Sequence, residues 1–308
     1  MQIIQQTTDF YIEEKTAAAL GKFDGIHRGH QKLLDEILEQ KKKGRKAVVF
    51  TFDPSPATLF QKTKMKELST KKEKEAMFAE MGVDILIEFP LNERTAAMSA
   101  EDFIEEVLVK RMNVGFIAAG TDLSFGYKGA GDTKLLNQFS EEYGFQVEII
   151  EKVCHEGREI SSSYVREEVE KGNMELVAAL IGKTYSVTGT VEHGNRIGRT
   201  LGFPTTNLLP EEEKLMPPRG VYFSKIYVDE SVYHGVTNIG YKPTVSDEPR
   251  MGVETFIFDF EKDVYGKEIT VSLEHFKRPE MKFDGLEELK TQVDLDKEAG
   301  WKYFQKNI

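Results

Sequence analysis

From residue 16 to residue 150, short apolar runs alternate with helical stripes, and this alternation constrains the fold more than any other feature of the chain. Runs at 16–20, 47–52, 84–88, 114–119 and 146–150 read as strands, the first two as buried ones. Between them, Leu33, Leu34, Ile37 and Leu38 form a helical stripe, and 70–81, 100–110 (beginning after Ser99) and 132–143 have the same period. Strands separated by helices instead of hairpin turns specify a parallel sheet, doubly wound with helices on both faces. Such sheets bind ligands beyond the carboxyl ends of their strands.

The first turn of that kind is Gly21-Lys-Phe-Asp-Gly-Ile-His-Arg-Gly-His30. A strand, a glycine-bearing turn and a helix start bring free N–H groups and a positive dipole end together, which suits a phosphate. The spacing places His27 and His30 on one face of the first helical turn, with Gly25 and Gly29 keeping bulk away. Two imidazoles beside an anion site can stabilise charge on a pentavalent phosphorus. Two further segments fall where such a site draws residues. Gly120-Thr-Asp-Leu-Ser-Phe-Gly126 puts Asp122 beyond the 114–119 run, and Ile160-Ser-Ser-Ser-Tyr-Val-Arg166 reads as a serine-capped helix start carrying an arginine. The lysine-rich stretch 62–74 reads as a solvated loop and helix face, and Cys154, the one cysteine, as a small apolar filler.

The His-x-Gly-His pattern resembles the signature of nucleotidyltransferases that transfer AMP from ATP. Gly-x-Phe-Asp-Gly-x-His-x-Gly-His, Thr-Phe-Asp-Pro, Gly-x-Asp-x-x-Phe-Gly and Ile-Ser-Ser-x-x-x-Arg occur in the order seen in bacterial FAD synthetases. That resemblance implies an FMN adenylyltransferase module in which His27 and His30 are catalytic. It implies ATP contacts at Gly21, Phe23, Asp24, Gly29, Ser162, Ser163 and Arg166, and flavin contacts at Asp122 and Phe125. The chain has Ser163 where the family usually has Thr, and Leu123 where it usually has Phe.

After the helix-like 173–181 the pattern changes. Val187, Gly189, Val191, then 221–228, 255–260 and 269–273, alternate with period two among frequent Gly and Pro, which predicts a small antiparallel barrel. The stretch 286–304 returns to the helical period and is expected to pack on the barrel. The boundary is placed near 183, giving domains 1–183 and 184–308. Gly194-Asn-Arg-Ile-Gly-Arg-Thr200 is not a P-loop: it is one residue too short, has Arg for Lys, and lies among barrel strands. Thr205 and Asn207 are two apart, so in an extended segment their hard oxygens face one way and suit Mg²⁺.

The run Gly198-Arg-Thr-Leu-Gly-Phe-Pro-Thr-Thr-Asn207 resembles the Gly-Phe-Pro-Thr-Ala-Asn signature of riboflavin kinases, with Thr206 in place of Ala. Gly220-Val-Tyr, Asn238-Ile-Gly-x-x-Pro-Thr244, Glu254-Thr255, Asp263-x-Tyr-Gly266 and Arg278-Pro-Glu continue it, with Phe256 where His is frequent. By this resemblance Glu254 is the base for the ribityl hydroxyl, Thr205 and Asn207 hold Mg²⁺, Gly198 and Gly202 meet ATP, and Arg278 meets the flavin.

A formal charge of −11 argues against broad nucleic-acid binding. No run approaches the roughly 18 apolar residues that span a bilayer, and the N-terminus lacks the regions of a signal peptide, so a cytoplasmic protein is expected and a membrane transporter is not. The expected substrates are riboflavin, FMN and ATP, with FMN and FAD as products. The alternatives are a paralogue with one active module and a non-catalytic flavin-binding regulator.

Overall fold

The computed structural model describes residues 1–55, 59, 66–193, 203–242 and 250–306. Gly198, Gly202 and the rejected P-loop segment lie outside them, as do residues 62–65, Pro243 and Thr244. The chain divides into two compact units, Met1–Ser162 and Ser163–Ile308.

The first unit is built on six parallel strands, β1 (Gln2–Gln5), β2 (Thr16–Leu20), β3 (Lys46–Asp53), β4 (Ile85–Pro90), β5 (Val114–Gly120) and β6 (Gln146–Ile150), in the order β1-β4-β3-β2-β5-β6. Alternate residues of each strand enter separate cores. Ala18, Leu20, Val48 and Phe50 pack on one face, and Ala17, Ala19, Ala47 and Val49 on the other, as period-two geometry requires. The order reverses at β2, which pairs with β3 on one side and β5 on the other, so the switch point lies at the carboxyl end of β2.

Helices Arg28–Glu39 (α1), Lys71–Met81 and Thr133–Tyr143 fall on the expected stripes. The segment after the Ser99 cap starts as α-helix over Ala100–Asp102 and continues with π-helical bonding over Phe103–Arg111, which residue periodicity does not distinguish from a regular helix. Cys154 is not an apolar filler: it is exposed on β7 (Cys154–His155), paired with β8 (Arg158–Glu159) in a small hairpin. In the described part of the lysine-rich stretch, exposed Lys71 meets Glu88 at 2.6 Å and Asp53 at 3.0 Å, and Lys74 meets Glu67 at 2.9 Å.

The second unit contains helices Ser162–Lys171 (from its second residue) and Met174–Ile181, followed by a closed antiparallel barrel. Its strands are β9 (Ser186–Glu192), β10 (Thr206–Leu208), β11 (Gly220–Val228), β12 (Ser231–Lys242), β13 (Arg250–Ile257) and β14 (Glu268–Pro279). They close in the order β10-β13-β12-β11-β14-β9. Strand β13 stops at Ile257, short of the expected residue 260. Inside the barrel, Thr206 donates to the Thr255 carbonyl at 3.3 Å, and the Thr237 and Thr255 hydroxyls meet at 2.9 Å. The terminal helix Leu286–Lys306 seats Phe304 on the outer wall with Val221, Phe223, Val236 and Phe258.

Candidate functional sites

In the first unit the turn after β2 is shaped by a buried framework. Phe23 and Asp24 are wholly buried. Phe23 stacks edge-on against Phe78, and one Asp24 carboxylate oxygen accepts from the Leu68 amide at 2.8 Å. The Ser162 hydroxyl donates to the Asp24 carbonyl at 2.9 Å, which brings the start of the helix after β8 to this turn. Gly25 has φ +80°, where a side chain is strained, and a Cβ there would lie 2.8 Å from Leu68.

His27 is the N-cap of α1, one position outside the helix, and its Nδ1 accepts from the His30 amide at 3.4 Å. That bond leaves the proton of the neutral ring on Nε2. His30 stacks on it with ring centroids 3.7 Å apart and planes 17° apart. Gly29 leaves room for the His27 ring, since a Cβ there would lie 3.1 Å from two of its atoms, tighter than ordinary contact. Burial lowers His27 to about 4, against the pull of Asp24 and Asp122. Burial, then the neighbouring His27, hold His30 well below its ordinary range. The His30 Nδ1 is buried with no hydrogen-bond partner among the described residues. An orphaned ring nitrogen of this kind fits a ligand that supplies its partner.

His27, Gly29, His30, Asp122 and Ser162 line one cavity of about 220 Å³. Lys152 lines it too, 3.0 Å from Glu159 and 3.4 Å from Asp122. No motif marks this lysine; only its place after β6, on the far side of the switch point, could have suggested it. Phe125 is in the core, its ring 5.5 Å from Phe103, and not on this cavity. Ser163 and Arg166 follow in the helix Ser162–Lys171 and belong to the second unit.

In the barrel, register does what sequence spacing could not. Asn207 of β10 lies directly opposite Glu254 of β13, and Glu254 lies opposite Asn238 of β12. Directly paired residues project to one face, so the amide, the carboxylate and the second amide form a row. The motif that contains Asn238 does not reveal this place; only the strand pairing does. Thr205 lies where two cavities approach each other. One, of about 320 Å³, is lined by Thr205, Asn207 and Tyr265. The other, of about 310 Å³, lies between the barrel wall and the terminal helix and is lined by Thr205, Glu254, Asn238, Arg278 and apolar side chains including Phe203 and Phe256.

Residues 10–164 match a family model described as FAD synthetase, and residues 181–304 one described as riboflavin kinase. Curated proteins described as bifunctional riboflavin kinase/FMN adenylyltransferase align along nearly the whole chain. The protein of Listeria monocytogenes is 34% identical, covering 97% of this chain and 96% of its own. That of Escherichia coli K12 is 37% identical over 95% and 94%. That of Bacillus subtilis is 36% identical over 95% and 93%. The chain belongs to the bifunctional riboflavin kinase/FMN adenylyltransferase family.

A crystal structure of a protein from Streptococcus pneumoniae, described as a macrolide-efflux protein, shares the fold of this family member. It matches with a TM-score of 0.82 and 29% identity over 96% of both chains. Among the described residues, no helix is long and apolar enough to cross a membrane. The two family matches coincide with the two sets of geometry: the first contains the stacked histidines, the second the Asn207–Glu254–Asn238 row.

Proposed function

We propose that this enzyme makes FAD in two steps, each in its own half of the chain. In the barrel, Glu254 takes the proton of the riboflavin 5′-hydroxyl as that oxygen attacks the γ-phosphorus of ATP, giving FMN and ADP. Phosphoryl transfer needs mainly positioning and charge neutralisation, so one carboxylate beside two amides is enough reactive equipment. The observation that carries this reading is the register that sets Glu254 opposite Asn207 at the wall of an apolar cavity. The Thr205 hydroxyl and the Asn207 amide oxygen are hard donors of the kind Mg²⁺ accepts while keeping water and phosphate ligands. Bound by them, Mg²⁺ would neutralise the polyphosphate.

In the parallel-sheet half, the FMN phosphate attacks the α-phosphorus of a second ATP and pyrophosphate leaves. This nucleophile is ionised at neutral pH, so no base is needed. His27 donates from Nε2, and His30 and the first amides of α1 complete the set of donors to the transition-state oxygens. We place the functional boundary near 183, and assign ATP contacts to Gly21, Gly29, Ser162, Ser163 and Arg166 and flavin contacts to Asp122 and Arg278. Cytoplasmic residence fits the water-soluble substrates. Neither the single-module nor the regulator alternative is favoured by an observation.

The test is a chromatographic time course with riboflavin, ATP and Mg²⁺. FMN should appear first and FAD after it. FMN without FAD would remove the assignment of the histidine site, and neither product would remove both.

A further inference from the structure

Arg278 stands at the end of β14 and Asp296 on the terminal helix, and both line the cavity that holds Glu254. The Arg278 Nε donates to both Asp296 oxygens at 3.1 Å, and Nη2 donates to Oδ2 at 2.6 Å. The carboxylate thus takes the side edge of the guanidinium. Nη1 donates to the Pro279 carbonyl at 3.0 Å, and Gln292 steadies Asp296 by donating to Oδ1 at 3.2 Å. The Asp296 side chain is only 4% exposed.

A guanidinium has five N–H donors. The described contacts engage one on each nitrogen, which leaves one on each terminal nitrogen for a ligand. A planar group offering two donors from a fixed frame suits neighbouring acceptors on a flat partner. The apolar side chains beside it, among them Phe203, Val221 and Phe256, suit an aromatic ring system. The isoalloxazine ring presents such acceptors, a ring nitrogen beside a carbonyl oxygen.

We infer that Asp296 is a positioning residue of the kinase reaction, holding the Arg278 guanidinium so that its two remaining donors meet the polar edge of the flavin ring. The inference rests on the reading of this cavity as the riboflavin site. A buried ion pair adds little net stability over apolar packing, so orientation is the property this pair supplies best.

The experiment uses the full chain with Asp296→Asn, Arg278→Lys and the double substitution. Lysine keeps a charge for Asp296 but has no fork. The kcat of the kinase reaction and the KM values for riboflavin and ATP are measured for each. Each single variant should raise the riboflavin KM about tenfold, with kcat and the ATP KM within about twofold of wild type. The double variant should be no worse than the poorer single one, because both remove the same presented edge. An unmoved riboflavin KM in either single variant overturns the positioning role, and so do a parallel rise in the ATP KM or multiplicative effects in the double variant. If Asp296→Asn does not fold, the riboflavin KM of Arg278→Lys decides alone. Wild-type chain without kinase activity would instead overturn the functional reading beneath the inference.

Discussion

Burial takes the His27 imidazole from its ordinary 6.5 to about 4, and His30 is held low beside it, so both rings are neutral at physiological pH. The sign of the linked stability follows. An unfolded His27 binds a proton near 6.5, and the folded one resists it until about 4. The neutral form therefore adds stability that is fully present above 6.5 and is lost as pH falls toward 4, by about 3 kcal/mol at most. The midpoint of thermal unfolding of the first unit should be flat above pH 7 and fall between 6.5 and 4. His27→Asn keeps an oxygen for the cap and removes the titration, so its decline over that window should be shallower. Equal slopes in the two proteins would show that His27 is not held neutral. In the barrel, Glu254→Gln preserves size and removes basicity. Riboflavin phosphorylation should fall by about 10² to 10⁴ while supplied FMN still becomes FAD; a kinase rate within a few-fold of wild type would exclude Glu254 as the base.

Among the elements, α1 shows a local propensity set against a site. Gly29 occupies its second position, where alanine would favour the helix by about 1 kcal/mol. Yet the added Cβ would press on the His27 ring from 3.1 Å and shift it by a few tenths of an ångström within the stacked pair. Gly29→Ala should therefore leave the first unit at least as stable to denaturant, reduce FAD formation from FMN at least tenfold, and leave FMN formation from riboflavin unchanged. Undiminished adenylylation would mean that the stack is not the working geometry. The elements of this half were legible because each of the four central strands is a largely buried apolar run whose length fits a parallel sheet. The edge strands differ: β1, Gln2–Gln5, is largely exposed and has no such pattern, and β6 is only part-buried, with Gln146 and Glu148 exposed. The barrel was legible as a class but less so in its strands. Strand β12 carries Gly235 and Gly240 among its apolar positions, which blurs its period, and β10 is three residues long, too short for a period to register. The site itself followed the same division. His27 and His30 are near neighbours in sequence, so spacing alone brings them together. Asn207, Glu254 and Asn238 meet only through antiparallel register, and the Arg278–Asp296 pair only through the docking of the terminal helix on the barrel. Phe125 sits in a recognisable motif, but whether an aromatic ring faces a core or a ligand depends on packing that a motif does not encode.

At the scale of the whole molecule, the two reactions share an intermediate, and each set of proposed site residues lies within its own match, 10–164 or 181–304, apart from Arg166 in the helix between them. A chain of two compact units does not need a conduit between them if FMN leaves one site and is captured at the other from solution. Two damaged chains distinguish these routes. His30→Ala should make FMN and stop; Glu254→Gln should leave riboflavin unchanged but accept FMN. Neither alone converts riboflavin to FAD. An equimolar mixture, given riboflavin, ATP and Mg²⁺, should form FAD after a lag during which free FMN accumulates. Raising the Glu254→Gln chain at fixed His30→Ala should shorten the lag without changing the early rate of riboflavin loss, because the first step is confined to the other protein. Adding an FMN-binding apoprotein as a trap should suppress FAD in the mixture and in wild type to the same extent. If wild type resists the trap while the mixture does not, FMN is handed over within one chain, and the two units must then be treated as one catalytic device.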